Sequence, residues 1–484
     1  MLHEQVGPQP FLVGGKWVNG TGRPFESVNP ATGELNRLVA TASEQDVDAA
    51  VRNAAAAQAK SAWRNMQPPR RAAILRRIGE LVSANSEALA RRQMFENGKL
   101  LSECRAQVAE AAGIFHYFAG LRETAPSEVA PSRGNHFSMV VYEPFGVVAA
   151  ITPWNSPLTL ESHKVAAALA AGNAVVLKPS EFTPTVGLEI AQLALEADLP
   201  PGLFNVVTGL GATTGLPLIE HPLIRMISFT GGTATGRAIA KSAGNRLVPV
   251  ALELGGKSPH IVFADADIDA AVEGVVKGIF TSSGQSCIAG SRLLVQESIR
   301  DKFLEKVVAR TKALVVGEPE NPKANVAPLS SFIHRDRVEN YVASALADGG
   351  RILTGGRRPP GETFAKGAYY EPTIIEGLTN EARACREEIF GPVMCVLSFV
   401  DEADLIRKAN DTNYGLACGI WTSDYKKAWR IGRAIEAGTV WINTYKDLSV
   451  SVPFGGFKDS GIGREKGFYG LRPYQEAKTI FFGL

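Results

Sequence analysis

From residue 147 to residue 253, short apolar runs alternate with longer amphipathic stretches, and this rhythm limits what the chain can fold into more than any other feature. The segments 147–152, 174–178, 204–208, 226–230 and 248–253 read as strands. A helix over 158–171 is stopped by Gly172, and one over 186–197 is ended by Pro200-Pro201-Gly202. Strands this uniformly apolar are buried on both faces, so the rhythm predicts a parallel sheet with helices on both sides. A second alternating block starts near His260, with helices expected over 268–281, 299–315, 338–348 and 403–410 and a surface loop at Pro359-Pro360-Gly361. At 484 residues the chain is too long for one core. Two α/β domains are therefore expected, the second beginning after residue 253.

Upstream, 11–18 reads as a hairpin, while 46–59 and 70–90 carry apolar residues at helical spacing and would cover one face of the first sheet. Two pieces fit neither domain. Residues 137–144 alternate after the turn at Arg133-Gly134-Asn135, and 477–482 is an apolar run. Such a run calls for cover, either by its own domain or by another copy of the chain.

Composition removes several functions. A formal net charge of +2 without any basic run gives no field for nucleic acid. With 45% hydrophobic and 21% charged residues the chain is of the soluble globular kind. The apolar stretch 165–174 is broken by Gly172 and Asn173 and is too short to cross a bilayer. Met1-Leu2-His3-Glu4-Gln5 begins no secretory signal, so a cytoplasmic location is expected. The five cysteines (Cys104, Cys287, Cys385, Cys395, Cys418) form no Cys-x-x-Cys pair, which speaks against zinc and a disulfide framework and for a reducing compartment.

Chemistry is carried first by Cys287 in Gly284-Gln285-Ser286-Cys287 and Glu253 in Glu253-Leu254-Gly255-Gly256-Lys257. A thiol can attack a carbonyl carbon, and a carboxylate can activate water to release the product. Alone, a cysteine is more often a small buried apolar residue and a glutamate a solvated one. Gly231 and Gly236 stand at a sharp strand-to-helix junction, where backbone can approach a diphosphate; the spacing differs from Gly-x-Gly-x-x-Gly, and a plain structural turn would look the same. Lys178 and Glu181 follow the strand 174–177 at its carboxyl end, where parallel sheets bind ligands; a surface ion pair is the plain alternative.

Taken in order, Thr152-Pro153-Trp154-Asn155, Lys178-Pro179-Ser180-Glu181, Phe229-Thr230-Gly231-Gly232-Thr233-Ala234-Thr235-Gly236, the Glu253 and Cys287 motifs, Glu387-Glu388-Ile389-Phe390-Gly391-Pro392 and Pro453-Phe454-Gly455-Gly456 resemble the motifs of the aldehyde dehydrogenase superfamily over nearly the whole chain. The resemblance implies two doubly wound parallel-sheet domains. One is a Rossmann-like cofactor domain (1–125 and 145–253), and the other is a catalytic domain (254–456) carrying the thiol. It also implies a small bridging β element from 126–144 and 470–484 that joins subunits into a homodimer or homotetramer.

The implied reaction is NAD-dependent oxidation of an aldehyde to a carboxylic acid. Cys287 is the nucleophile. Asn155 and the Cys287 N–H hold the oxyanion. Glu253 activates water on the thioester. For Cys287 either some lowering of the usual thiol pKa of ~8.5 is expected, or Glu253 takes the proton first. Lys164 matches a family lysine near the proton path, a helix-surface lysine being the alternative. The cofactor residues implied are Thr152, Trp154, Lys178, Ser180, Glu181, Gly211, Phe229, Thr230, Gly231, Gly232, Thr233, Gly236, Leu254, Glu388 and Phe390. The family usually has Ser at the position of Gly232. Glu181 would repel a 2′-phosphate and so favours NAD over NADP.

By the same resemblance the tunnel is lined by Ser156, Leu160, His163, Ser286, Ile288, Leu448 and Phe454. Small or polar Ser156 and His163 suggest a roomy pocket for a bulky or oxygenated aldehyde, with His163 read as a satisfied structural histidine. No Arg stands among them to clamp a carboxylate, which weighs against a dicarboxylic semialdehyde. Two rivals are a coenzyme A-acylating enzyme, which generally lacks the glutamate, and a non-catalytic relative, expected to lose Cys287, Glu253 or Asn155.

Overall fold

The computed structural model describes residues 7–483; the start of the chain read above for a signal, and residue 484 of the expected bridging segment, lie outside the described residues. Two large sheets organise the molecule. In the first the order is Lys16–Val18, Phe11–Val13, Phe204–Val206, Ala174–Lys178, Val147–Ile151, Ile224–Thr230, Val250–Glu253, Gly461–Ile462. Its five central strands are parallel. The edges are antiparallel additions, the hairpin on one side and Gly461–Ile462 on the other. The second sheet runs Arg351–Thr354, Thr373–Glu376, Val393–Phe399, Arg292–Gln296, Pro259–Val262, Ala417–Trp421, Thr439–Ile442, parallel except at its first strand. The rhythm of the sequence is thus realised twice.

Helices cover the first sheet for local reasons. Glu44–Ala59 starts in a capping box, with Ser43 Oγ accepting from the Asp46 N–H and the Asp46 carboxylate accepting from the Ser43 N–H at 2.9 Å. Pro157–Ala171 has Pro at its first turn and ends at Gly172 with φ of 102°, a conformation that costs glycine little. Almost every residue of this helix is buried, because it is sandwiched between the sheet and another helix.

Two expectations need correction. The single helix expected over 70–90 is two, Pro68–Ala84 and Ser86–Asn97. Asn85 leaves the helical region between them, and its side-chain amide donates to the Leu81 carbonyl at 2.8 Å, closing the first helix. The helix Leu101–Thr124 is not anticipated by the sequence reading at all, although Cys104, Val108, Ala111, Phe115 and Phe118 form its buried stripe. It packs on Pro68–Ala84 and Pro157–Ala171 and so reaches the site described below.

The two leftover segments meet each other. His136–Pro144 pairs antiparallel along its whole length with Gln475–Gly483, and Glu128–Val129 adds a third strand. Phe481 and Phe482 stay 64% and 48% exposed, so their own domain does not cover them. Among the described residues no helix is long and apolar enough to cross a membrane.

Candidate active site

Strand order reverses between Val147–Ile151 and Ile224–Thr230, which opens a crevice at their carboxyl ends. Most of the expected cofactor residues lie along this edge. Thr152 is buried, its N–H donating to the Lys178 carbonyl. Lys178 is buried too, not on the surface; Nζ donates to the Pro179 carbonyl at 2.8 Å, and burial lowers its pKa. The surface ion-pair alternative therefore fails. Ser180 Oγ accepts from the Phe182 N–H, and Glu181 is half-buried beside it. Gly211 lies exposed at the start of the one-turn helix Gly211–Gly215 that follows Phe204–Val206.

Helix Thr233–Asn245 opens immediately after Ile224–Thr230, with Gly232 as N-cap and no side chain capping it. Its first N–H groups and the positive end of its dipole are left for an anion. The hydroxyl of Thr230 is buried there without a hydrogen-bond partner among the described residues, and Thr233 lies within hydrogen-bonding reach of Tyr414. Leu254 packs onto Gly236 so closely that any side chain at 236 would collide with it. A phosphate fits this combination of free N–H groups, an idle hydroxyl and close backbone. Phe229 is buried under Gly231, whose N–H donates to the Glu253 carbonyl.

The second sheet supplies the facing wall. Trp154 meets Phe390 edge-on at 5.3 Å and His334 at 5.1 Å. His334 Nε2 lies 2.7 Å from the Phe390 carbonyl and helps to hold Phe390 at φ of 61°. Glu388 accepts from the Gly256 N–H at 2.9 Å, and burial lifts its pKa to about 7 against that bond.

The expected nucleophile and base meet at the seam. Glu253 ends the strand Val250–Glu253 of the first sheet, whereas Cys287 lies on the loop leading into Arg292–Gln296 of the second. A side chain at Gly256 would strike the Cys287 carbonyl, so glycine is what lets the two segments close. The thiol loop is held in a tense turn: Ser282 and Ser283 take φ of 59° and 54°. Glu103 accepts from the Ser282 N–H at 2.8 Å, and Ser283 Oγ donates to the Ala327 carbonyl at 2.7 Å. Asn155, buried, donates from Nδ2 to the Gln285 carbonyl at 3.1 Å, which places its amide beside the thiol loop.

Electrostatics here differ from one expectation. The Cys287 thiol is not lowered; burial, then the charges of Glu388 and Glu253, push it up to about 12. Partial burial, first, and then two carboxylates oppose a thiolate more than the backbone N–H groups favour it, although Cys287 alone of the five cysteines keeps some surface exposed. Glu253 is itself raised well above the carboxylate range by burial and by Glu465, with Lys164, Arg464 and Lys466 opposing. Lys164 is not a helix-surface residue: it is wholly buried, 2.5 Å from Glu465 Oε1 and 3.0 Å from Ser228 Oγ. Ser228 continues to the Tyr474 hydroxyl at 2.8 Å.

Of the expected tunnel residues, Ile288 and Phe454 pack with Cys287, Trp441 and Tyr445 in one cluster. Ser156 and Ser286 are half-buried, Leu160 likewise, and Leu448 is exposed. His163 is buried but unsatisfied, since neither ring nitrogen has a partner among the described residues. Burial and the Lys466 and Lys164 charges hold it neutral, well below the usual histidine range.

The aldehyde dehydrogenase family model matches residues 17–480. The chain belongs to the aldehyde dehydrogenase family. Its structure is similar to that of KauB, an aldehyde dehydrogenase of Pseudomonas aeruginosa, at 40% identity and TM-score 0.96, covering 99% of this chain and 97% of that one. Betaine aldehyde dehydrogenase of Staphylococcus aureus in complex with NAD+ matches at 38% identity and TM-score 0.96 over 98% and 94% of the two chains. AldA, an indole-3-acetaldehyde dehydrogenase of P. syringae in complex with NAD+ and IAA, matches at 38% and 0.96 over 99% and 97%.

In this aldehyde dehydrogenase several site residues escape sequence reasoning. Glu465 enters because its backbone pairs with that of Phe454, 2.7 Å in both directions. Gln107 donates to Ser156 Oγ at 2.9 Å, and Glu110 accepts from Thr159 at 3.2 Å and pairs with Lys466 at 3.4 Å. Both stand on the unanticipated helix Leu101–Thr124. Lys446, beside the cluster residue Tyr445, is likewise new to the site. No motif marks any of them.

Proposed function

We propose that this aldehyde dehydrogenase oxidises an aldehyde to the carboxylic acid with NAD, using Cys287 as nucleophile and Glu253 as base. The observation that carries the reading is the convergence, across the seam of the two sheets, of a thiol and a buried carboxyl of raised pKa. The Cys287 sulfur bonds to the carbonyl carbon while its proton passes to the ionised form of Glu253, which Lys164 favours against burial, because a thiol held near 12 does not ionise alone at neutral pH. The oxygen that gains charge is met by the Cys287 N–H and by the Asn155 N–H not spent on Gln285. NAD, when bound, accepts the hydride from that carbon and leaves a thioester on Cys287. Glu253 releases the thiol proton to solvent and then takes a proton from water as the water oxygen attacks; the C–S bond breaks, and Glu253 passes that second proton to the leaving sulfur. Lys164, fixed between Glu465 and Ser228, is a positioned positive charge that keeps the Glu253 carboxyl within reach of ionisation.

For the cofactor, the uncapped start of Thr233–Asn245 would receive the diphosphate. Lys178 and Glu181 would take the adenosine ribose, Glu388 and Phe390 the nicotinamide end, and Thr152, Trp154, Ser180, Gly211 and Leu254 the surrounding walls. Glu181 favours NAD over NADP. We assign cofactor binding to 1–125 with 145–253 and the thiol to 254–456. The strands from 126–144 and 470–484 are assigned to subunit contact in a homodimer or homotetramer, a role suited to exposed Phe481 and Phe482. Ser156, His163, Gln107 and Glu110 make one wall polar, which suits an oxygenated aldehyde.

The test is NADH absorbance with NAD across aliphatic, aromatic and hydroxylated aldehydes, with and without coenzyme A. A rise without coenzyme A is expected, abolished in Cys287→Ala while NAD still binds. Turnover of Cys287→Ala near the native rate, or a strict need for coenzyme A, refutes the proposal.

A further inference from the structure

Beside the thiol loop stands a cluster with one positive charge in excess. Tyr445 donates its hydroxyl to the Ile288 carbonyl at 2.9 Å, which pins the next residue, Lys446, to the residue following Cys287. Lys446 takes a φ of 63°, a left-handed conformation that a residue with a side chain retains where its surroundings enforce it. Its Nζ turns back to the Thr281 carbonyl at 3.4 Å, leaving donors unused, and it forms no ion pair among the described residues. Burial draws its pKa to about 8, and the next influences are Glu103, Lys99 and Cys287.

Lys99 is a second ammonium, fully buried where Lys446 is half-buried, and without a hydrogen-bond partner among the described residues. Glu103 is the one carboxylate of this group. One of its oxygens is spent on the Ser282 N–H and hydroxyl, and the other is buried without a partner. The neighbouring Lys277 is already matched by Asp447 at 3.8 Å. Two ammoniums thus face one carboxylate. A half-buried cation with idle donors, next in sequence to the tyrosine bonded to the residue after Cys287, is complementary to an anion carried by the substrate.

We propose that Lys446 determines specificity, and that the preferred substrates are aldehydes bearing a carboxylate at their far end, the semialdehydes of dicarboxylic acids. The proposal rests on the thiol chemistry above and deepens it. It also reverses the weight that the sequence reading placed against such substrates: the cation comes from a lysine outside the expected tunnel residues, in a loop that no motif marks.

The experiment uses the full chain with NAD. It compares kcat/KM for four- to six-carbon dicarboxylic semialdehydes with that for straight-chain aldehydes of equal length, in the native protein, Lys446→Gln and Lys446→Arg. The native protein is expected to favour the semialdehyde at least tenfold. Lys446→Gln should lose about 30-fold on the semialdehyde, mostly in KM, as one charge-assisted hydrogen bond implies. Its loss on the uncharged aldehyde should be at least tenfold smaller, and Lys446→Arg should keep the preference. A native preference for the uncharged aldehyde, or equal losses on both in Lys446→Gln, overturns the assignment. NADH from uncharged aldehydes but none from semialdehydes defeats this inference alone, whereas no NADH from any aldehyde defeats the reaction proposed above.

Discussion

The high pKa of Cys287 gives a quantitative prediction for its reactivity in the free protein. Raised from 9.0 to about 12, the Cys287 thiol loses about 10³-fold in thiolate fraction at pH 7. Only the thiolate reacts with a neutral alkylating agent, so native Cys287 should react about 10³-fold more slowly than in the unfolded chain. The logarithm of the rate should climb one unit per pH unit through pH 10 without a plateau. Steric shielding alone would lower the plateau and leave the midpoint unmoved, so the two causes separate. The rate is read by mass spectrometry on the Cys287 peptide, since the other four cysteines are buried. Glu388→Gln and Glu253→Gln, which remove the two carboxylates that raise the thiol, should each move the profile to lower pH. A native plateau at or below pH 9, or a native rate at pH 7 equal to that of the unfolded chain, would show that burial and the two carboxylates do not hold the thiol up.

Glu253→Gln removes the acceptor of the thiol proton as well as the base for water, so both the first turnover of NADH and the steady rate should fall, the steady rate by about 10²- to 10⁴-fold; an undiminished steady rate would exclude Glu253. In the native protein the deacylation rate should fall as pH drops through the raised Glu253 pKa, because the protonated form accepts no proton. This acid limb should lie well above the usual carboxylate range, and a limb near pH 4 would contradict the shift. Lys164→Ala leaves Glu465 buried without its partner and should cost about 3–5 kcal/mol in denaturant unfolding, a loss under 1 kcal/mol being incompatible with the buried pair. Glu181→Ser should narrow the ratio of NAD to NADP turnover, and an unmoved ratio would remove Glu181 from ribose recognition.

Periodicity was enough for the two sheets because buried parallel strands leave a local trace in every run such as Ala174–Lys178. It failed at Asn85, where one side-chain amide ends a helix that the apolar pattern carries through. It also failed for the edge strand Gly461–Ile462, too short to show a period. At the site, Cys287, Glu253 and Asn155 stand inside motifs, and the structure brings them to one seam. Lys164 was legible only as a residue type, since nothing nearby in sequence tells a buried lysine from a solvated one. Its partner Glu465 and the cation Lys446 were illegible because their roles come from pairings across the fold. Of the two expectations for the Cys287 thiol, the lowered pKa ran against its direction, because burial first and then carboxylates from other segments raise it, and neither shows in the local sequence.

Lys164 and Glu465 touch although 301 positions separate them in the chain. The order of synthesis therefore acts as a safety interlock. Cys287 is made long before Glu465, yet the charges around its base are incomplete until Gly461–Ile462 has docked onto the edge of the first sheet and carried Glu465 into place. A chain ending short of that segment would leave Lys164 without its carboxylate and Glu253 without the charges of Arg464, Glu465 and Lys466.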